Sequence, residues 1–214
     1  MMFDLSKTDS IANTFLSELR DEVIQKDPMR FRKNLERLGA FFAYEISKKL
    51  SYTEVDIQTP LGIAKSRVLA DHPVLATILR AGLPMQQGLL SVFDRSQCAF
   101  ITAYRKNKKS GGFVIQMEHI SAPNLDGKTI ILADPMLATG LSMVLCAKEL
   151  INTYDIKKLH IVSAIASTEG IKHVKANLPK ADLWLGAIDD EMTSKSYIVP
   201  GLGDAGDLAY GIKA

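Results

Sequence analysis

An acid followed by a short loop of small residues is the part of the sequence best suited to chemistry. Ile130 to Ala133 form a continuous apolar run, which is typical of a strand buried on both faces of a parallel sheet. The run ends at Asp134 and Pro135, and residues 138–142 are mostly small or hydroxylated. A strand that ends in a carboxylate and leads through such a loop into a helix predicts a site for a phosphate and a sugar, because N–H groups face the anion while the carboxylate accepts hydroxyls.

Two arginines directly follow predicted strands and are candidates for binding an anion. Val74–Leu79 leads into Arg80, and Ala99–Tyr104 leads into Arg105. Ligands of open α/β sheets bind beyond the carboxyl ends of the strands, so both cations are predicted to reach one crevice. Each arginine could instead extend to solvent. The basic loop 106–112 is either a solvated hairpin tip or a flap that carries charge towards a polyphosphate.

The segment from Tyr197 to Asp207 has an unusual composition for the end of a chain. Gly201, Gly203 and Gly206 lie close to two acids and follow an apolar run and a proline. The segment lacks the acid spacing of an EF-hand loop, so calcium binding is not expected. It is either a surface turn or a tight main-chain wrap that turns N–H and C=O groups towards a small planar ligand.

The elements that must position these residues alternate between strands and helices, which predicts a parallel α/β sheet. Helices are expected from Thr8 to Lys26, from Pro28 to about Leu50 and from a cap at Thr168, and a hairpin is expected between Tyr52 and Leu69. Predicted sheet strands lie near residues 74–79, 99–104, 130–134, 159–166 and 183–188. We expect one domain over residues 1–214, with a core at about 70–190 and a cap from about 1–50 and 191–214.

Composition excludes several classes of function. The 214 residues are 47% hydrophobic, which is enough for one good core, and the net charge of +2 favours neither a nucleic-acid nor a membrane partner. Cys98 and Cys146 are isolated, and the four histidines form no ligand cluster in the sequence. Met1–Thr14 lacks the apolar stretch of a secretion signal, so we expect a soluble cytoplasmic protein.

These motifs together resemble those of a known family. The run Asp134–Gly140 resembles the 5-phosphoribosyl 1-diphosphate (PRPP) loop of type I phosphoribosyltransferases, in the version carried by uracil phosphoribosyltransferases. Arg80 in an Ile-Leu-Arg-Ala-Gly run, Arg105 in a Tyr-Arg pair and the 197–207 segment also match that family, in the same order. The resemblance implies a parallel sheet flanked by helices, with a small cap from the N-terminal helices and the C-terminal segment, and a β-hairpin flap.

The resemblance also implies a glycosyltransferase of pyrimidine salvage, which converts uracil and PRPP to UMP and pyrophosphate. The implied catalytic residues are Arg105, Asp134 and Asp204. The implied PRPP-binding residues are Arg80, Arg105, Asp134, Pro135, Met136, Leu137, Ala138, Thr139, Gly140, Leu141, Ser142 and Asp204. The implied uracil-binding residues are Ile198, Gly203, Asp204 and Ala205. Mg²⁺ would enter with PRPP and have no direct protein ligand, although Asp204 could reach it through water.

Departures from the family pattern leave affinity and allosteric control open, and two other functions stay as alternatives. Leu141 stands where the family usually has a second glycine, so the phosphate loop must adopt a backbone conformation that a side chain allows. One alternative is transfer of phosphoribose to another base. Another is a PRPP- or nucleotide-sensing regulator that binds RNA without turnover, which the near-neutral charge disfavours. The family resemblance further implies a homodimer or a larger homo-oligomer.

Overall fold

A computed structural model describes residues 1–107 and 113–212, and in it a central sheet lies between two layers of helices. The helices are α1 (Ile11–Arg20), α2 (Pro28–Ser47), α3 (Leu83–Val92), α4 (Leu141–Thr153), α5 (Thr168–Asn177) and α6 (Ala205–Tyr210). The strands are β1 (Met2–Asp4), β2 (Tyr52–Thr59), β3 (Gly62–Leu69), β4 (Val74–Leu79), β5 (Cys98–Asn107), β6 (Phe113–Ser121), β7 (Thr129–Ala133), β8 (Met136–Leu137), β9 (Lys158–Ser167), β10 (Asp182–Asp189), β11 (Glu191–Met192) and β12 (Ile198–Val199).

The main sheet has the strand order β1-β10-β9-β7-β4-β5-β6, with β8 beside β9. Every neighbouring pair is parallel except β5 and β6, which form an antiparallel hairpin. The predicted α/β fold with a helix-flanked parallel sheet is therefore confirmed. Residues 108–112 of the predicted flap, between β5 and β6, lie outside the described part of the chain.

Burial on both faces of the sheet explains why its central strands are almost entirely apolar. Leu75, Ile131 and Trp184 face the layer formed by α1, α2, α3 and α6. Ala76 and Leu132 face the layer formed by α4 and α5. Neighbouring residues of one strand thus belong to different cores, as the period of two in a strand requires.

The first predicted helix is too long, because a single acid ends it early. The Asp21 carboxylate accepts hydrogen bonds from the N–H groups of Val23 and Ile24, both at 2.9 Å, and this turn separates α1 from a 3₁₀ turn at Ile24–Lys26. Competition of an aspartate with the helical backbone is a common cause of such a boundary.

The helix α2 agrees with the sequence expectation, although it ends at Ser47 and not near Leu50. Asp27 caps it by accepting from the N–H groups of Met29 and Arg30, and Pro28 occupies its first turn. Its apolar stripe, with Leu35 as one member, is fully buried against the sheet and α3.

Other differences concern short elements that carry little sequence signal. The strands β1, β8, β11 and β12 each have two or three residues and were not predicted. The cap of α5 is Ser167 and not Thr168, since the Ser167 hydroxyl accepts from the N–H of Gly170 at 2.8 Å. Within residues 1–107 and 113–212, no helix has the length and apolar content needed to cross a bilayer.

Candidate active site

A crevice of about 770 Å³ lies beyond the carboxyl ends of β4 and β7 and beside β5. Predicted PRPP-binding residues that line it are Arg80, Asp134, Met136, Ala138, Ser142 and Asp204. The predicted uracil-binding residues Ile198, Gly203, Asp204 and Ala205 line the same space. A crevice of this size is typical of pockets that enclose a small molecule. The loop after β7 and the C-terminal segment therefore meet at one site, although they are about 60 residues apart in the chain.

Asp134 is held at the mouth of the crevice by the sheet itself. Its N–H donates to the carbonyl of Val162 at 3.1 Å, and its Oδ1 accepts from the N–H of Met136 at 3.2 Å. The carbonyl of Pro135 accepts from Ile165 at 3.0 Å, so the chain continues beside β9 as the short strand β8. These contacts fix the carboxylate at the start of the phosphate loop.

The loop then passes directly into α4 through a left-handed glycine. Gly140 has φ 75° and is the N-cap of α4. It has no side chain to cap the helix, and the Thr139 hydroxyl accepts from the N–H of Leu141 at 3.4 Å. A Cβ on Gly140 would lie 2.9 Å from the carbonyl oxygen of Gly170, which makes glycine necessary for two reasons. The N-terminus of a 13-residue helix, with Ser142 at the crevice, is suited to an anion.

Leu141 is accommodated without closing the site. It is the first residue of α4, and its side chain is exposed and does not line the crevice. Pro135, Leu137, Thr139 and Gly140 also lie off the crevice lining. Leu137 is buried in the core beneath the loop, so a ligand contact from this residue would have to involve its main chain.

Arg80 projects from the end of β4 and already contacts the C-terminal segment. Its Nη2 donates to Oδ1 of Asp207 and to the carbonyl oxygen of Gly211, both at 3.1 Å. Its Nε is buried and has no hydrogen-bond partner in the described part of the chain. The guanidinium thus keeps a donor available while one nitrogen is held at the mouth of the crevice.

The residues Thr102 and Ala103 line the crevice next to Arg80, and sequence reasoning missed them. The register between β5 and β6 shifts at this point, which is a bulge or irregularity that redirects side chains. A bulge has no composition signal in this strand. The side chain of Arg105, three residues beyond Thr102, lies outside the described residues.

The C-terminal segment is folded as a tight turn followed by a short helix. The strand β12 pairs with β11, and Gly201 and Gly203 then take left-handed φ values of 58° and 91°. Asp204 caps α6 by accepting from the N–H groups of Gly206 at 2.8 Å and Asp207 at 3.0 Å. The two left-handed glycines make this turn tight, and the helix that follows it was not predicted.

Ser196 and Tyr197, immediately before β12, are further lining residues that sequence reasoning did not select. Ser196 has φ 62°, in the left-handed region where a side chain is unfavourable. A glycine in a sequence suggests a left-handed conformation, whereas a serine does not. Only the folded turn places these two residues at the crevice.

A buried thiol behind the loop is unsuited to nucleophilic chemistry. Burial raises the pKa of Cys146 on α4 to about 12, and the negative charge of Asp134 contributes in the same direction. A thiol with this pKa stays protonated near neutral pH, and the protonated form is a poor nucleophile. Cys146 is therefore a packing residue.

Comparisons with known proteins identify relatives of this sequence. Residues 6–212 match the family model described as uracil phosphoribosyltransferase. A uracil phosphoribosyltransferase of Porphyromonas gingivalis is 48% identical, over 98% of this chain and 97% of that protein. One of Thermococcus gammatolerans is 37% identical, over 92% of this chain and 87% of that protein.

Solved structures agree in fold. The AQ2163 protein of Aquifex aeolicus superposes with a TM-score of 0.88 at 28% identity, covering 99% of both chains. An adenine phosphoribosyltransferase of Trypanosoma brucei superposes with a TM-score of 0.55 at 12% identity, over 95% of this chain and 87% of that one. The similarity to the second structure concerns the fold alone. The match over nearly the whole chain shows that the chain belongs to the uracil phosphoribosyltransferase family.

Proposed function

We propose that this crevice transfers 5-phosphoribose from PRPP to N1 of uracil, giving UMP and pyrophosphate. The activity is that of the family, a glycosyltransferase reaction of pyrimidine salvage. The observation that carries the assignment to this crevice is the meeting of the phosphate loop, Arg80 and the C-terminal turn around one space.

The PRPP half of the crevice follows from the loop after β7. The first turn of α4 and the Ser142 hydroxyl would bind the 5′-phosphate, together with main-chain groups of residues 135–141. The carboxylate of Asp134 would accept the ribose hydroxyls. Arg80 and Arg105 would bind the diphosphate, since planar guanidinium groups match two anionic phosphates.

The uracil half follows from the C-terminal turn. Ile198 would contact the ring, and the main chain of Gly203–Ala205 would read its polar edge. An acceptor for N3–H and a donor for O4 would both be mispaired by cytosine, and each mispaired buried group costs roughly 1–3 kcal/mol. Selectivity for uracil would therefore come from main-chain geometry.

The chemistry requires placement and charge stabilisation and no covalent intermediate. Pyrophosphate leaves as C1′ of the ribose gains positive character, while N1 of uracil forms the new bond. The protein would hold N1 close to C1′ and stabilise the negative charge on the departing group with Arg80 and Arg105. Asp204, at the crevice between the two halves, would face PRPP.

The residues present fit a magnesium ion that takes most of its ligands from the substrate. Asp134 and Asp204 both line the crevice, and Mg²⁺ prefers oxygen ligands such as their carboxylates. Across the described ranges, no group of three or more His, Cys, Asp or Glu residues could hold a metal alone. Bound Mg²⁺ would supply charge neutralisation on the diphosphate, with Asp204 reaching it through water.

Domain organisation and location are part of the same proposal. Residues 1–214 form one phosphoribosyltransferase domain, with the core at about 70–190 and a cap from about 1–50 and 191–214. The protein works in the cytoplasm on uracil and PRPP, as a homodimer or a larger homo-oligomer, without a nucleic-acid or membrane partner.

The test is to incubate the protein with uracil, PRPP and Mg²⁺ and to measure UMP. Asp134→Asn is expected to lower the rate about 100-fold or more, because asparagine removes the negative charge and one of the two acceptor oxygens that would position the ribose hydroxyls. The matched control is Asp94→Asn, an exposed acid after α3, which should retain the wild-type rate.

Two results would contradict the proposal: a folded protein that forms no UMP, or an Asp134→Asn variant as active as the wild type. Competition with purine bases tests the alternative of another acceptor. A salt-dependent RNA complex without turnover would instead support the regulator.

A further inference from the structure

A partly buried ion pair ties the C-terminal turn to both the sheet and the cap. Asp189, the last residue of β10, is 7% exposed and accepts two hydrogen bonds from Arg20 at the end of α1, each at 2.8 Å. The N–H of Gly201 donates to the same carboxylate at 2.9 Å. Arg20 in turn donates to the carbonyl oxygen of Gly201 at 3.0 Å. Both main-chain polar groups of Gly201 are thus held by one arginine–aspartate pair.

This pair acts on the main chain between the proposed uracil contacts. Gly201 follows Ile198 by three residues and precedes Gly203 by two, and both of those residues line the crevice. Arg20 and Asp189 do not line it. Gly201 also has a left-handed φ of 58°, and a Cβ there would collide with the carbonyl group of Ile198. Glycine has many accessible backbone conformations, so contacts with its surroundings must select this one.

We infer that Arg20 and Asp189 are positioning residues that set the uracil-reading main chain of residues 198–205, an inference that rests on the proposed function. Selectivity through main-chain groups requires those groups to be fixed within a fraction of an ångström. The planar guanidinium is suited to this task because it can bind a carboxylate through two nitrogens and still donate to a carbonyl. A lysine at the same place keeps the positive charge, but its single nitrogen cannot replace the two guanidinium nitrogens that bind the carboxylate.

The chain contains a matched ion pair without the contact to the turn. Arg30 on α2 donates to Glu18 on α1 at 2.7 and 3.0 Å, again through two nitrogens. This pair joins α1 to α2, and in the described part of the chain neither side chain forms a hydrogen bond or ion pair with residues 198–205. Arg30→Lys therefore reports the loss of a two-nitrogen pair in the cap, although this pair is more exposed than that of Arg20 and Asp189.

The first experiment compares Arg20→Lys with Arg30→Lys in the uracil and PRPP assay. Arg20→Lys is expected to raise KM for uracil roughly 10-fold, with a clearly smaller change in KM for PRPP, since the PRPP contacts come mainly from the loop after β7. Arg30→Lys should change neither KM. Equal effects of the two substitutions on KM for uracil would overturn the inference.

The second experiment does not depend on activity. Amide hydrogen exchange of residues 198–205 is compared in the same proteins without substrate. Loss of the clamp, by which we mean the contacts of Arg20 and Asp189 with Gly201, should speed exchange about 10-fold or more in Arg20→Lys. Arg30→Lys should leave the exchange rate unchanged. Unchanged exchange in Arg20→Lys would reject the clamp even if the wild type forms UMP. Faster exchange in Arg20→Lys, together with a wild type that forms no UMP, would support the clamp while rejecting the proposed function.

Discussion

Asp204 combines a structural and a proposed chemical role in one side chain. It caps α6 through Oδ1 and lines the crevice between the two proposed substrate sites. The two roles separate by substitution, because asparagine retains the Oδ1 acceptor and removes the negative charge. Alanine removes both.

Asp204→Asn is therefore expected to lower kcat roughly 10- to 100-fold, as loss of an outer-shell partner of a bound metal typically does. The free energy of unfolding of Asp204→Asn should match that of the wild type, because the cap of α6 is kept. Asp204→Ala should lose the same activity and also about 1 kcal/mol of unfolding free energy. Steady-state UMP kinetics and urea unfolding measure the two effects, and full turnover by the asparagine variant would remove Asp204 from the site.

The predictability of site residues depends on whether their role is local in sequence. Arg80, Asp134 and Asp204 could be selected because each polar residue adjoins an apolar run or a glycine turn. Arg20 could not, since its partner Asp189 is 169 residues away and an arginine at a helix end is ordinary. Tyr197 depends in the same way on the left-handed turn at Ser196, which the sequence does not indicate.

At the scale of elements, the close crossing of α2 and α3 places Arg80. The helix α3 begins three residues after Arg80, so the packing of α3 against α2 fixes the position of the end of β4. Gly88 on α3 packs against the backbone of α2, where an added Cβ would collide with the carbonyl group of Glu36. Gly39 on α2 faces the backbone at Met85 in the same manner.

Gly88→Ala is expected to destabilise the protein by about 1–3 kcal/mol, because the helices must separate. The sign of this change in unfolding free energy distinguishes a close crossing from an open one, since a glycine-to-alanine substitution in an uncrowded helix stabilises by about 1 kcal/mol. Gln87→Ala, on the exposed side of the same helix, is the control and should stay within about 0.5 kcal/mol of the wild type. Urea unfolding measures both, and a stabilised Gly88→Ala variant would mean that the crossing is looser than described.

Long elements with a clear period were predictable, and short ones were not. Strands β4, β7, β9 and β10 follow from apolar runs, and the stripe of α2 from its helical spacing. β8 and β12 have two residues each and exist only because β9 and β11 offer free backbone groups beside them. The end of α1 depends on a side-chain contact of Asp21, which propensity does not capture.

For the molecule as a whole, the sequence predicted a parallel α/β sheet but not the order of its strands. β1 at the N-terminus pairs with β10, some 180 residues later, and this places the first residues of the chain at the sheet edge. Trp184 of β10 then packs on Phe3 with ring centroids 5.4 Å apart. It also donates to the neutral His160, whose pKa is lowered to about 4 chiefly by burial.

The proposed single domain predicts that the cap and the sheet unfold together. One continuous apolar core contains Leu38 of α2, Ile131 of the sheet, Ala209 of α6 and Trp184, the one tryptophan of the sequence. Trp184 fluorescence reports this core, whereas far-UV circular dichroism also reports α4 and α5 on the opposite face. Both signals should follow one urea transition at a fixed protein concentration.

Leu38→Ala tests that coupling most directly. Leu38 is fully buried between the cap and the sheet, so its truncation should lower the free energy of unfolding by about 2–5 kcal/mol. If cap and core form one cooperative unit, both signals shift to lower urea by the same amount, including the dichroism of helices that Leu38 does not touch. Met29→Ala, at an exposed position of α2, should leave both midpoints in place. Separated midpoints in Leu38→Ala, with fluorescence lost before the remaining helical signal, would show that the two helical layers are stabilised independently.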